Sequence, residues 1–195
     1  MTHPPLRDTE ERWPVESTEV LHDDAWVVRV RADRVTTPQG TTARRVAIEH
    51  PGAAVVLAAD DQERVLCLWQ YRHAAGARFV EIPAGLLDGG PDESPLEVAR
   101  RELREEAQLE ATTWTPLTRL SPSPGVTDEV QHLFLARGLS HADRGDFELA
   151  HEEADMTVAW VPFAELHAAV LAGEVRDSPV VAAVLLAAAR GLLRP

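Results

Sequence analysis

Apolar and polar positions divide the chain into short segments, and most of them predict β-strands. Strands are expected where apolar or β-branched residues cluster between turn-forming residues, at 25–35, 44–49, 53–59, 64–70, 79–83, 114–120, 130–136 and 156–161. The runs at 53–59 and 64–70 flank Asp60, Asp61 and Gln62, which predicts a buried hairpin. Residues 1–20 are polar and contain prolines, and we expect a flexible arm there.

Helices are predicted at 95–108, 162–172 and 178–193, and the first of them has a well-marked start. Ser94 provides an N-cap, Pro95 follows at the first helical position, and Glu97 completes a capping box. Ser178 and Pro179 repeat the cap signal before the last helix. Short strands interspersed with helices favour a layered α+β domain.

Composition and charge then exclude several classes of function. The chain has 195 residues, which is one domain's length, and its 19 basic and 32 acidic residues give a formal charge of −13. Such an acidic protein is poorly suited to nucleic acid or to an anionic membrane. The apolar stretch at 180–189 is too short to span a bilayer. A single cysteine, Cys67, forms no internal disulfide, which agrees with a cytoplasmic location.

The helix after Ser94 has a row of carboxylates next to its core-facing side. Its apolar arc consists of Leu96, Ala99, Leu103 and Ala107. A neighbouring arc holds carboxylates at spacings of three and four residues, on Glu102, Glu105 and Glu106. Clustered carboxylates repel one another unless cations intervene, and oxygen ligands suit Mg²⁺ or Mn²⁺. The alternative is a solvated acidic face that pairs with the neighbouring arginines Arg100, Arg101 and Arg104.

A strand and a glycine-rich loop, EIPAGLLDGG at 81–90, lead directly to this helix. The arrangement resembles the Nudix hydrolases, whose signature is G-x5-E-x7-R-E-U-x-E-E-x-G-U with U aliphatic. The matching positions are Glu93, Arg101, Glu102, Leu103, Glu105, Glu106 and Leu109. Two positions depart from the signature. Gly85 precedes Glu93 by eight residues instead of six, and Gln108 replaces a glycine, so that the helix is expected to end differently or to run on.

The resemblance extends over about residues 26–189 and is strongest to the ADP-ribose pyrophosphatase branch of this family. The segments that match it are QYR at 70–72, EIPAGLLD at 81–88, SPGVTDE at 123–129 and HEEADM at 151–156. The resemblance implies substrate contacts from Trp26, Arg44, Arg45, Glu49, Arg72, Ser123, Pro124, Gly125 and Glu129. Several alternatives stay open. Trp26 could be a core or interface tryptophan, and the segment at 123–129 could be a simple Pro-Gly turn. Arg44 and Arg45 could be surface residues, and at most one of them faces the ligand because neighbouring strand residues point to opposite faces.

The resemblance also implies the metal ligands and the catalytic base. Mg²⁺, with Mn²⁺ as a possible substitute, is expected at Glu102 and Glu106, with Glu105 as a further or water-mediated ligand and the Ala84 carbonyl as another. The residues with a structural role in the motif are Gly85, Glu93 and Arg101, and an ion pair between the last two fixes the loop to the helix. The general base is expected at Glu152, with Glu153 as the alternative, in a lid-like loop at 141–155.

Together these features predict an α+β protein with a Nudix-type α/β/α sandwich and mixed sheets. The expected organisation is an arm at 1–20, a strand region at 21–50 that dimerises, and a Nudix hydrolase domain at 51–195. The expected function is Mg²⁺-dependent hydrolysis of ADP-ribose, or a related nucleoside diphosphate sugar, to AMP and ribose 5-phosphate by a cytoplasmic homodimer. The alternatives are hydrolysis of FAD, NADH or a dinucleoside polyphosphate, and a non-catalytic module that senses a nucleotide.

Overall fold

The computed structural model describes residues 6–24, 27–90, 93–143, 145 and 155–195. The chain forms two compact units, one of Met1–His50 with Gly125–Asp128 and the other of Pro51–Pro124 with Glu129–Pro195.

The first unit contains a three-stranded antiparallel sheet. Its strands, in spatial order, are β1 (Val15–His22), β2 (Arg29–Thr36) and β3 (Thr42–Glu49). The prediction of a flexible arm is therefore wrong for residues 15–20, which pair with β2. Every residue of β1 is exposed, so the strand lacks the buried apolar face by which a sequence pattern reveals a strand.

The second unit contains two further sheets and the helices. Its elements are β4 (Ala53–Ala58), β5 (Arg64–Arg72), β6 (Ala77–Glu81), β7 (Ala84–Leu86), α1 (Pro95–Ala107), β8 (Leu109–Leu120), β9 (Gln131–His141), β10 (Thr157–Pro162), α2 (Phe163–Leu171) and α3 (Ser178–Ala189). One sheet has the strand order β10-β5-β6 and the other β7-β4-β9-β8. The second sheet is mixed, because β4 pairs in parallel with β9 and antiparallel with β7.

Strand β4 shows how the sandwich is built. Ala54 and Val56 belong to the same buried cluster as Leu103 of α1. Val55 belongs to the opposite cluster with Val184 of α3. Since successive strand residues point to opposite faces, the sheet is covered by α1 on one side and α3 on the other. Each such buried aliphatic side chain contributes roughly 1.5–3 kcal/mol. The predicted α/β/α sandwich with mixed sheets is confirmed.

The predicted hairpin between the runs at 53–59 and 64–70 is wrong. Strands β4 and β5 lie in different sheets and share an isolated bridge between Ala59 and Val65. Both runs are apolar at consecutive positions, which suits strands buried on both faces, and each occupies an inner position in its own sheet. Asp60 turns the chain between the sheets, because its carboxylate accepts hydrogen bonds from the backbone of Gln62 and Arg64 at 2.9 and 2.8 Å.

Strands β8 and β9 are longer than predicted. The sequence indicated residues 114–120 and 130–136, whereas β8 starts at Leu109 and β9 continues to His141. The added ends pair with each other but are largely outside the core, so no apolar pattern marks them.

The helix ends depend on backbone conformations that the sequence predicted only in part. The capping box of Ser94 and Glu97 is present. Gln108, however, ends α1 in the same left-handed conformation that a glycine would adopt, with φ 53° and ψ 40°, so the expectation of a different ending is wrong. The N-cap of α3 is Asp177 and not Ser178, because the Asp177 side chain accepts from the Val180 N–H. Within the described part of the chain, no helix has both the length and the apolar character needed to cross a membrane.

Candidate active site

Helix α1 places two glutamates at the edge of the core. Leu103 is fully buried against the sheet, and its neighbours along the helix therefore start close to the protein interior. Glu102 and Glu106, four residues apart, lie one above the other on the helix surface. Their relative exposures are 8% and 6%, so both are buried carboxylates. The alternative of a fully solvated acidic face is excluded for these two residues.

Arg101 lies among carboxylates from both the helix and the preceding loop. Its guanidinium nitrogens are 2.7 Å from Glu102, 3.3 Å from Glu93 and Glu105, and 3.4 Å from Asp88. Burial disfavours the charged guanidinium, but the negative charges of Glu102 and Glu93 outweigh it and raise the pKa of Arg101. One cation thus serves several carboxylates, and the cluster keeps an excess of negative charge.

Ala84 and Gly85, which belong to the short strand β7, lie directly on the two buried glutamates. The Ala84 N–H donates to Glu106 Oε2 at 3.1 Å. A Cβ atom on Gly85 would come within 1.9 Å of Glu102 Cδ, so a side chain at that position would occupy the space of the carboxylate. The two extra residues of the loop leave this contact in place, and Glu93 still reaches Arg101. The segment is two residues longer than in the signature, yet Gly85 still lies against Glu102 and Glu93 still pairs with Arg101.

The donor groups fit a hard divalent cation. Glu102 and Glu106 are buried carboxylates beside β7, and Glu93 Oε2 is buried without a hydrogen-bond partner among the described residues. Oxygen ligands with excess negative charge suit Mg²⁺ or Mn²⁺. In their present orientation, the described histidine, cysteine, aspartate and glutamate side chains do not form a group of three ready to hold an ion. Glu102 and Glu105 instead face Arg101, and their carboxylates have to turn or share that cation for an ion to bind.

A second ion pair lies at the end of β5, where the sequence predicted a substrate contact. Arg72 donates from Nε and Nη2 to the two oxygens of Glu81, at 2.9 and 2.7 Å. Glu81 is buried, whereas 44% of the Arg72 side chain is exposed. Asp177 is close enough for its carboxylate to be repelled by Glu81 and attracted by Arg72. Sequence reasoning missed Glu81 and Asp177 because neither belongs to the helix motif.

Asp177 gives the protein a predicted pH-dependent cost in stability. Burial, reinforced by Glu81, raises its pKa from 3.8 to about 6. The folded state therefore holds this proton more tightly than the unfolded state does, and stability falls as pH rises from about 4 to about 6 and is lower by a constant amount above that. We expect Asp177→Asn, which keeps the N-cap, to raise the free energy of unfolding at pH 8 by up to about 2–3 kcal/mol.

Urea unfolding of both proteins at pH 4 and pH 8 checks this expectation. At pH 4, where the aspartate is largely protonated in the folded state, the two proteins should be nearly equal in stability. An equal difference at both pH values would mean that the charge of Asp177 is not the cause.

In the first unit, strand alternation separates the two arginines that the sequence proposed as ligand contacts. Arg45 and Glu49 point to one face of β3, and Arg44 points to the other, where its guanidinium is 3.7 Å from Glu19. Glu49 accepts from Nη1 of Arg29 at 3.1 Å and of Arg31 at 2.5 Å.

Sequence reasoning missed Arg29 and Arg31, although their alternation along β2 is a readable signal. Asp33 continues that alternation and accepts from Arg31 at 2.9 Å. The hydrogen bonds from Thr18 and Arg31 lower the pKa of Asp33. The face of this sheet that carries Glu49 is therefore held by charge-assisted hydrogen bonds.

The segment predicted to lie over the substrate is divided between the two units. Gly125–Asp128 joins the first unit, where Ile48 and Val126 share a backbone hydrogen bond of 2.8 Å and Asp128 accepts from the His50 N–H. Ser123, Pro124 and Glu129 belong to the second unit, and Glu129 accepts from Gln131 at 2.8 Å. The predicted substrate contact Trp26 and the predicted bases Glu152 and Glu153 lie outside the described residues.

The α/β/α sandwich, the glycine segment laid on a helix and the carboxylate cluster around one arginine agree with the family that the sequence resembles. The chain belongs to the Nudix hydrolase family: the NUDIX domain model matches residues 49–184. The predicted family and enzyme class are confirmed. Enzymes of this family generally use divalent metal ions.

Two of the similar proteins are ADP-ribose pyrophosphatases. Over 169 residues the chain is 44% identical to the ADP-ribose pyrophosphatase of Mycobacterium tuberculosis (strain ATCC 25618 / H37Rv), which covers 87% of this chain and 80% of the relative. It is also 40% identical over 114 residues to the ADP-ribose pyrophosphatase of Bacillus subtilis (strain 168), covering 58% of this chain and 60% of that relative. A crystal structure of an ADP compounds hydrolase has the same fold, with a TM-score of 0.73 at 20% identity over 95% of this chain and 96% of that one.

Proposed function

We propose that this protein hydrolyses the diphosphate linkage of ADP-ribose to AMP and ribose 5-phosphate, with Mg²⁺ as the ion and Mn²⁺ as a substitute. The observation that carries the proposal is the buried pair Glu102 and Glu106 beneath Ala84 and Gly85 of β7. Similarity to two ADP-ribose pyrophosphatases supports the choice of substrate. Buried carboxylates with excess negative charge support the choice of ion.

The reaction adds one water across the diphosphate. In the proposed mechanism Glu152 accepts a proton from the water, the water oxygen bonds to one phosphorus, and the bond from that phosphorus to the bridging oxygen breaks. Glu153 is the alternative base. Glu102 and Glu106, with Glu105 and the Ala84 carbonyl, would hold the ion, which supplies charge neutralisation to the diphosphate when bound. Arg101 keeps the helix and the loop together through Glu93.

The substrate contacts are proposed on the resemblance and on where the described residues lie. Arg45 and Glu49 share a face of β3, and Arg72 is partly exposed, so all three are retained as contacts. Arg44, on the other face and beside Glu19, is the weaker of the two neighbouring arginines. The remaining proposed contacts are Trp26, Ser123, Pro124, Gly125 and Glu129.

Steady-state turnover on a panel of compounds tests the substrate. The panel consists of ADP-ribose, GDP-mannose, FAD, NADH and a dinucleoside polyphosphate, each with Mg²⁺, with Mn²⁺ and with EDTA. We expect the highest kcat/KM on ADP-ribose with Mg²⁺ and no turnover in EDTA. A higher kcat/KM on another compound would mean that this compound, and not ADP-ribose, is the preferred substrate, while the enzyme class would stand. Nucleotide binding without turnover on any compound would favour the sensing module.

We also propose a homodimer that acts in the cytoplasm. Strand β1 is exposed throughout and carries the partly apolar surface of Val15, Val20 and Leu21, which supports an interface formed by this region. The buried free thiol of Cys67 supports a reducing compartment. Sedimentation at micromolar concentration is expected to give twice the 21.4 kDa chain mass, and a monomer there would contradict the dimer.

A further inference from the structure

The ion pair between Arg72 and Glu81 has the geometry of an orienting device. Two parallel hydrogen bonds, at 2.9 and 2.7 Å, join one edge of the guanidinium to both carboxylate oxygens. A bidentate pair fixes the plane of the guanidinium as well as its position. Arg72 lies opposite Ala77 and Glu81 opposite Leu68, so the arginine side chain runs back along β5 to reach its partner.

The carboxylate half of this pair is inside the protein. Glu81 is 7% exposed at the end of β6. The segment just before α3 covers the same face of that strand, because the Arg176 guanidinium lies 5.8 Å from the centre of the Phe79 ring and Asp177 is within range of the charge on Glu81. A buried carboxylate needs its cation, since leaving it unpaired is strongly unfavourable. The pair is therefore more persistent than an exposed ion pair.

The cation half of the pair faces outward. With 44% of its side chain exposed, Arg72 is held by Glu81 and still reaches solvent. An arginine that is already ordered loses less side-chain entropy when it binds an anion than a freely moving one. The same strand carries a contrasting pair at its other end, where Asp60 binds Arg64 and also accepts from the backbone of the turn.

We infer that Glu81 is a positioning residue, which holds Arg72 ready to bind a phosphate of the substrate. This inference rests on the proposed hydrolysis of a nucleoside diphosphate and adds a role for a residue outside the helix motif. Glu81 touches neither the substrate nor the ion. If Arg72 binds the phosphate equally well before and during the reaction, loss of Glu81 raises KM and leaves kcat nearly unchanged.

Kinetics and direct anion binding test the inference together. The variants are Glu81→Gln, Arg72→Lys and the double variant. The control is Asp60→Asn, which removes the charge from the carboxylate that pairs with Arg64 at the other end of β5. The readouts are kcat and KM for ADP-ribose, the Kd of inorganic pyrophosphate by calorimetry in EDTA, and the melting temperature.

We expect Glu81→Gln to raise both KM and the pyrophosphate Kd about tenfold, in line with the loss of one charge-assisted interaction. Arg72→Lys should have a similar effect. The KM and Kd of the double variant should be no higher than those of Arg72→Lys alone, because the two residues act as one unit. Asp60→Asn should lower the melting temperature and leave KM and Kd unchanged. Glu81→Asp, which restores the charge, should recover part of the loss and serves as the second variant if Glu81→Gln does not fold.

Unchanged KM and Kd in a folded Glu81→Gln protein would overturn the inference, and so would an equal rise in the Asp60→Asn control. The pyrophosphate titration tests the positioning role of Glu81 independently of the proposed substrate. If the wild-type protein fails to hydrolyse ADP-ribose but its pyrophosphate affinity still depends on Glu81, the proposed substrate is wrong and the positioning role stands.

Discussion

Glu106→Gln is expected to reduce metal-dependent turnover by about 10²–10³-fold, comparable to removing one preorganised group that stabilises the transition state. The glutamine keeps the size of the side chain and an oxygen that accepts from the Ala84 N–H, so the loop contact at 3.1 Å can persist. What it removes is one negative charge from a buried carboxylate pair. Because that charge is what a divalent cation binds, the loss should fall on ion binding and on turnover.

Stability provides the second readout for this variant. Without metal, Glu106→Gln should be at least as stable as the wild type, since buried like charges repel one another. Adding Mg²⁺ or Mn²⁺ should raise the melting temperature of the wild type and have little effect on the variant. The control is Glu165→Gln, at an exposed position in the first turn of α2, which should behave as the wild type. Near wild-type turnover in Glu106→Gln would refute the metal site proposed on α1.

The carboxylate helix could be predicted from the sequence because its information is local. Helix periodicity sets Glu102 and Glu106 on one side of α1, and the capping box at Ser94 fixes where the helix starts. Neither inference requires knowledge of the neighbouring strands. The same locality explains why Glu93 could be paired with Arg101 despite the longer loop, since the helix spacing between them is unchanged.

Sheet membership could not be predicted in the same way, because it depends on long-range contacts. The apolar runs of β4 and β5 are close in sequence and look alike, yet each pairs with strands far along the chain, β4 with β9 and β5 with β10. Strand β1 could not be predicted for a different reason. It is paired but wholly exposed, and a strand without a buried face leaves no alternating pattern to detect.

The charged partners of Arg72 and Glu49 could not be predicted from neighbouring residues in the sequence either. Glu81 meets Arg72 across a strand pair, and Arg31 meets Glu49 across another. Such pairs depend on strand register, which shifts every side chain to the other face when it changes by one residue. Gln108 illustrates a different limit. Its left-handed backbone is unfavourable for a residue with a Cβ, and the immediate start of β8 at Leu109 imposes it.

Gly85→Ala is expected to lower kcat/KM by about 10–10²-fold, a loss of the size seen when groups that orient metal ligands are removed. The added Cβ would lie 1.9 Å from Glu102 Cδ and 2.0 Å from its Oε1, so the carboxylate has to move. Gly85 does not have a positive φ, and alanine therefore introduces no backbone strain. The displaced atoms are the far end of a flexible side chain, which limits the stability cost to about 1–3 kcal/mol.

A double-mutant cycle with Glu102→Ala separates the side chain from the loop. Glu102→Ala removes the atoms with which the new Cβ collides, so Gly85→Ala should cost little further activity in that background, and the two losses should be far from additive. Additive losses would mean that Gly85→Ala acts by moving the loop instead. Either outcome identifies what the absence of a side chain at Gly85 provides. If the cycle is non-additive, Gly85 of β7 leaves room for the Glu102 carboxylate, and this glycine supports the proposed metal site through the absence of a side chain.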